Sequence, residues 1–111
     1  MNKFLSFLGL VRKSGKIGMG FDPCMDAIKS KKAKLLIITY DLSEKTALKA
    51  KRIADEANVP VITVSFSMDE INMALSKHVG LISVLDENLA SKLNELYIQL
   101  QSEQIEGGNA T

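Results

Sequence analysis

The stretch "LLIITYDLSEKTALKAKRIADEANVPVITV", residues 35–64, decides the fold class. It opens on five apolar or β-branched residues, Leu35 to Thr39, bounded by Lys34 and Asp41. That run is too short for a helix and lacks polar alternation, so it reads as a central strand covered on both faces. Ser43 then stands where a helix N-cap belongs, and Ala47, Ala50, Ala54 and Ala57 give the following helix a stripe of small residues suited to close packing on a sheet. Asn58 ends that helix, because asparagine tolerates the left-handed backbone of a C-terminal cap. A second strand follows over residues 59–64, with Pro60 confined to its beginning, where a missing N–H does least harm.

The same rhythm extends in both directions. Phe4, Phe7, Leu8 and Val11 recur at helical spacing, which predicts a helix over residues 2–13 that stops at Ser14 and Gly15. Asp22 and Pro23 match an N-cap and first helical position for a second helix over about residues 22–32, and Lys16-Ile17-Gly18 before it can add a short edge strand. Ser67 and Glu70 have capping-box spacing ahead of Ile71, Ala74 and Leu75. "GLISVL", residues 80–85, is a third buried strand, and Asp86 starts a last helix on Leu89, Leu93, Leu96 and Leu100. Strands alternating with helices at this spacing imply an α/β fold, a three-layer α/β/α sandwich with a small mixed sheet. Residues 1–100 form the expected single domain, and the tail over 101–111 has no apolar period and is expected to fray.

Composition narrows the function. The 111 residues are 46% hydrophobic and 24% charged, which suits one globular core. A net charge of +1 conceals an asymmetry: residues 1–34 hold eight basic against two acidic side chains, and the remainder is net negative. A basic third on a nearly neutral chain supplies a local field where phosphates could dock, although lysines also merely solvate surfaces. The single cysteine, Cys24, cannot form an internal disulfide and no cluster has metal-ligand spacing, so the expected setting is cytoplasmic, with no metal and no cofactor. Arg12 and Lys13 interrupt the apolar stretch near the N-terminus, and no other apolar run reaches membrane-spanning length.

Catalytic constellations are missing. Gly15, Gly18 and Gly20 do not form a dinucleotide-binding turn, and His78 has no adjacent nucleophile in the sequence. The acidic pairs at residues 55–56, 69–70 and 86–87 sit where caps and solvated faces explain them. Cys24 falls in a helix's first turn, where a thiolate would be favoured, but it reads better as a small buried apolar group. No catalytic residue and no small-molecule substrate are expected.

The order helix, glycine-bearing turn, helix, buried strand in "LGLVRKSGKIGMGFDPCMDAIKSKKAKLLIITYDLS", with "ANVPVITV" and "INMALSKHVGLISVLD", resembles the ribosomal protein seven-Ae and thirty-e superfamily, and within it the small bacterial YlxQ-type branch. The resemblance covers about residues 4–95 and implies a small α/β/α protein of a kind that often binds kink-turn RNA. It places the recognition turn at Gly18, Gly20, Phe21 and Asp22, and an apolar loop covering an extruded nucleotide at Val79, Gly80 and Leu81. Family members that bind RNA follow the turn glycine with a variable residue, Asn and Glu, and place Lys three residues after the Glu; this chain has Asp22, Pro23 and Asp26 there. A carboxylate at residue 22 accepts but cannot donate, and one at residue 26 repels phosphate. Arg12, Lys13 and Lys16 before the turn, with Lys31 and Lys32 after the helix, supply a basic flank able to grip phosphates. The expectation is a non-enzymatic protein binding structured RNA, kink-turn-like or ribosomal. The other reading is a protein-interaction module on the same fold.

Overall fold

The apolar run Leu35–Thr39 lies inside a four-stranded sheet, and all five of its residues are buried. The computed structural model describes the backbone of residues 2–109 and side chains as far as residue 103. In chain order the elements are α1 (Lys3–Lys13), β1 (Ile17–Met19), α2 (Phe21–Lys29), β2 (Leu35–Thr39), α3 (Glu44–Glu56), β3 (Val61–Val64), α4 (Met68–Leu75), β4 (Leu81–Val84) and α5 (Glu87–Asn109). The sheet order is β1-β4-β2-β3, with β2 and β3 parallel and β4 antiparallel to both of its neighbours. The expected mixed sheet and its short edge strand are therefore present.

Side-chain alternation along the strands divides the core into two layers. Leu35, Ile37, Ile82 and Val84 face α1, α4 and α5, where they meet Phe4, Leu8, Ile71, Leu75 and Leu93. Leu36, Ile38 and Leu81 face the other way, onto Cys24 and Ile28 of α2 and the small Ala50 and Ala54 of α3. The alanine stripe thus buries its middle members, whereas Ala57 remains exposed.

Caps follow the expected chemistry at α3 and α4. The Ser43 hydroxyl accepts from Thr46 N, and Ser67 with Glu70 forms a complete capping box. Asn58 closes α3 at φ 57°.

The start of α2 differs from the Asp-Pro expectation. Gly20 is the N-cap, at φ 99° and ψ 172°, a conformation open to glycine and strained for other residues. This moves Pro23 to the third helical position, where its missing N–H costs nothing because the first turn's N–H groups have no intrahelical acceptors. The same helix ends earlier than expected. Lys31 N donates to Ile28 O at 3.1 Å and Lys32 N to Ala27 O at 2.9 Å, a Schellman turn with Lys31 at φ 62°.

At the other end of the chain, helical backbone continues through Asn109 although the leucine period stops at Leu100. Residues 110 and 111, the end of the expected frayed tail, lie outside the described residues. No described helix is long and apolar enough to cross a membrane.

Candidate nucleic-acid interface

Three loops meet at one end of the sheet, after β1, after β2 and before β4. Backbone hydrogen bonds join them: Gly20 N donates to Leu81 O at 2.9 Å, and Thr39 N donates to Gly80 O at 3.0 Å. Gly80 makes the junction sterically possible, because a Cβ there would lie 2.9 Å from both Leu42 Cδ1 and Thr39 Oγ1. The Thr39 hydroxyl is buried at this junction without a hydrogen-bond partner among the described residues.

The turn into α2 presents its N–H groups differently from the other helix starts. Asn2, Ser43 and Ser67 cap α1, α3 and α4 with side-chain oxygens, whereas α2 has no side-chain cap. Unfilled N–H groups at a helix start carry partial positive charge and suit an anionic or acceptor group. Asp22 stands exposed beside them and Phe21 is half-buried. Lys49 of α3 places its Nζ 5.2 Å from the Phe21 ring centre, so this aromatic face meets a cation before any base could stack on it. Across the end, Tyr40 is 63% exposed and offers a free ring.

Two acids at this end have structural work. Asp41 accepts from Met68 N at 3.1 Å and 3.3 Å through its two oxygens, anchoring the start of α4 to the β2–α3 loop. The Asp69 carboxylate lies 2.9 Å from His78 Nε2 and ties the α4–β4 loop to the same helix start. His78 therefore has a carboxylate neighbour.

Two groups of expected site residues lie apart from the exposed surface of the turn. Leu81 is only 2% exposed and packs in the α2–α3 layer, and Val79 and Gly80 are buried too, because strand pairing draws this segment inward. The exposed part of that loop is Lys77 and His78.

The basic flank lies at the opposite end of the sheet from the turn. Lys16 precedes β1, and its carbonyl accepts from Leu85 N at 3.0 Å, beyond the far end of β4. Lys31 and Lys32 follow α2, whose nine residues separate them from Phe21 by about 14 Å along the axis. Arg12 and Lys13 end α1 beside Lys16. The chain therefore does not bring these cations and the turn into one contact patch.

Gly18 and Gly20 do different work. Gly18 pairs with Ser83, and a Cβ on it would come 2.5 Å from Ser83 Oγ, so its role is to let the strands and α2 approach. Gly20 is required by its backbone angle. Cys24 is fully buried with its Sγ 3.5 Å from Gly18 O. Burial pushes its thiol up to about 11, against the lowering effect of hydrogen bonding with Ser83, so it is held as a neutral packing group. Among the described residues no cluster of His, Cys, Asp or Glu could hold a metal ion.

A sequence profile for the ribosomal protein L7Ae/L30e/S12e/Gadd45 family matches residues 2–94. The chain belongs to this family. Its L7Ae-family relatives include the RNA-binding protein YlxQ of Enterococcus faecium, 30% identical over 94 residues that make up 85% of this chain and 90% of that protein. The YlxQ protein of Bacillus subtilis strain 168, also named as RNA-binding, is 28% identical over 99 residues, with 85% of this chain and 94% of that protein covered. A solved protein of unknown function from Bacillus halodurans superposes with TM-score 0.81 at 26% identity, covering 87% of this chain and 98% of the other. The Giardia lamblia 15.5kD RNA binding protein superposes at TM-score 0.71 and 17% identity over 86% of this chain and 85% of its own, which shows the shared L7Ae-like fold.

Within that L7Ae-family frame, sequence reasoning missed Lys49 and Tyr40. Nothing local in α3 marks Lys49, since its relation to Phe21 exists only across the α2–α3 packing. Tyr40 carried a weak signal as an aromatic in the loop between a buried strand and a capped helix.

Proposed function

We propose that this chain is a non-enzymatic, cytoplasmic binder of structured RNA, kink-turn-like or ribosomal, that docks RNA on the loop end of its sheet. The observation that carries the reading is the uncapped α2 N-terminus, fixed by Gly20 against Leu81 O in a family whose members here include two proteins named as RNA-binding. Phe21 and Asp22 bring backbone N–H groups to the RNA, with the Asp22 carboxylate accepting from a base edge. Tyr40 offers a stacking face, and Lys49 and Lys77 supply cations. The RNA-binding names of the relatives and the absence of a catalytic constellation in the sequence support a role without chemistry.

Titration of a labelled kink-turn duplex and of a straight duplex of equal length, each at low and moderate salt, tests this reading. The expected result is tighter, steeply salt-dependent binding to the kinked form, weakened by Lys49→Gln and Lys77→Gln together. The second reading, a protein-interaction module, draws on the carboxylates Asp22 and Asp26 along α2. Capture of protein partners with no salt-sensitive RNA binding would establish it instead.

A further inference from the structure

The opposite end of the sheet carries a groove that the loop-end reading does not use. It is an open cavity of about 1080 Å³ between the α2–β2 turn, the α3–β3 turn and the first turns of α5. Ile28, Ala33, Val59, Pro60 and Ala90 give it an apolar lining. Lys29, Lys31 and Lys34 line it as cations, with Glu56 and Glu87 as its carboxylates. Asn58, Ser91 and Asn94 add neutral hydrogen-bonding groups. Its volume lies just above the roughly 300–1,000 Å³ range of small-ligand sites, enough for an extended segment rather than one small molecule.

Three features indicate what occupies it. First, Lys29, Lys31 and Lys34 are exposed and make no ion pair with a carboxylate among the described residues, so their charge is available. Second, the field continues beyond the groove. Lys16 and Lys34 precede strands on either side of β4, at the level of Val84 and Leu85, which sets their backbones two strand spacings or about 10 Å apart. Third, Lys31 holds a left-handed conformation at φ 62°, in a Schellman position that glycine fills without strain. A lysine there places a cation on the groove at a conformational cost. An apolar lining beside unpaired cations suits a ligand with an anionic backbone and exposed apolar faces. Single-stranded RNA has both, whereas a duplex hides its base faces in the stack.

We propose that this groove is a second RNA-contact surface that takes a single-stranded segment, with phosphates on Lys29, Lys31 and Lys34 and bases against Val59 and Pro60. The proposal rests on the RNA-binding reading above and adds a second contact on the far side of the sheet. The two ends would then hold two parts of one RNA, a structured element at the loops and an unpaired flank at the groove. The groove contains no aromatic lining residue, so little sequence preference is expected.

The test is a titration of the full chain with a labelled oligouridine of about twelve nucleotides. Wild type is compared with the triple variant Lys29→Gln, Lys31→Gly, Lys34→Gln and with the loop-end pair Lys49→Gln, Lys77→Gln. The triple variant is expected to bind about tenfold more weakly, with a log–log salt slope shallower by about 2 for three lost phosphate contacts. The loop-end pair should retain oligouridine binding. Lys31→Gly alone should melt no lower than wild type, which separates loss of binding from loss of fold. Equal affinity of wild type and the triple variant overturns the proposal. Competition by an oligoglutamate peptide as strong as that by oligouridine also overturns it, in favour of an acidic protein segment. Wild type that binds the kink-turn duplex but not oligouridine defeats this inference alone, whereas failure to bind either RNA defeats the functional reading as well.

Discussion

The Lys49 ammonium lies 5.2 Å from the centre of the Phe21 ring, joining the second turn of α3 to the first residue of α2. The contact holds the aromatic side chain of the recognition turn against a neighbouring helix and puts a cation on its outer side. Lys49→Gln should therefore lower stability by about 0.5–1 kcal/mol, the usual strength of a cation–π contact at an exposed site. RNA affinity should fall as well. Lys51→Gln, on the same helix and also exposed, serves as the charge-matched control. Chemical denaturation and RNA titration of both variants check this, and equal behaviour of the two would mean the contact has no energetic role.

Gly18 and Ser83 face each other across β1 and β4, with room for a hydrogen where alanine would place a methyl 2.5 Å from the serine oxygen. Gly18→Ala should destabilise the fold by about 1–3 kcal/mol through overpacking. Ser83→Ala removes the oxygen and with it a long 3.4 Å hydrogen bond to Gly18 O and the side-chain hydrogen bond with Cys24. The double variant should recover more than half of the loss, a coupling that a double-mutant cycle measures directly. Strict additivity would place the clash on the Pro23 carbonyl, 3.4 Å away, instead of on Ser83.

Restoring the family's side-chain pattern with Asp22→Asn, Pro23→Glu and Asp26→Lys should strengthen kink-turn binding by at least about 1 kcal/mol. A donor is gained at Asn and phosphate repulsion becomes attraction at Lys. With α2 starting at Phe21, residue 23 is the third helical position, where Glu interacts favourably with the helix dipole. The geometry that Gly20 imposes should be unchanged. Comparable duplex affinities before and after the change would show that Asp22, Pro23 and Asp26 form a working variant of the recognition element.

Stability above neutral pH should carry a signature of Cys24. Burial raises its thiol from 9.0 to about 11, so the folded chain keeps a proton that the unfolded chain releases between those values. Stability from this group is complete below about pH 9 and declines as pH rises toward 11, by on the order of 2–3 kcal/mol. Denaturation of wild type and Cys24→Ala across that window isolates the effect from lysine and tyrosine titration. The difference between them should shrink as pH rises.

Local chemistry determined most of the fold in the sequence itself. The unbroken run at residues 35–39 required cover on both faces, the spacing of Ser67 and Glu70 required a helix start, and Asn58 supplied a left-handed stop. Each is a short-range relation in which neighbouring residues compete only with water. The same range explains where the α2 reading slipped. Asp-Pro is a good local helix start, but Gly20 N reaches Leu81 O, sixty-one positions away in the chain, and that bond begins the helix at Phe21. Tertiary structure alone decided that Leu81 turns inward, that Lys49 meets Phe21, and that the recognition turn and the basic residues stand at opposite ends of the sheet. Sequence proximity had joined Lys16 to Gly20 and Lys31 to Asp22. An extended strand and a nine-residue helix carry the chain from one end of the domain to the other, so neighbours along the chain become opposite poles of the fold.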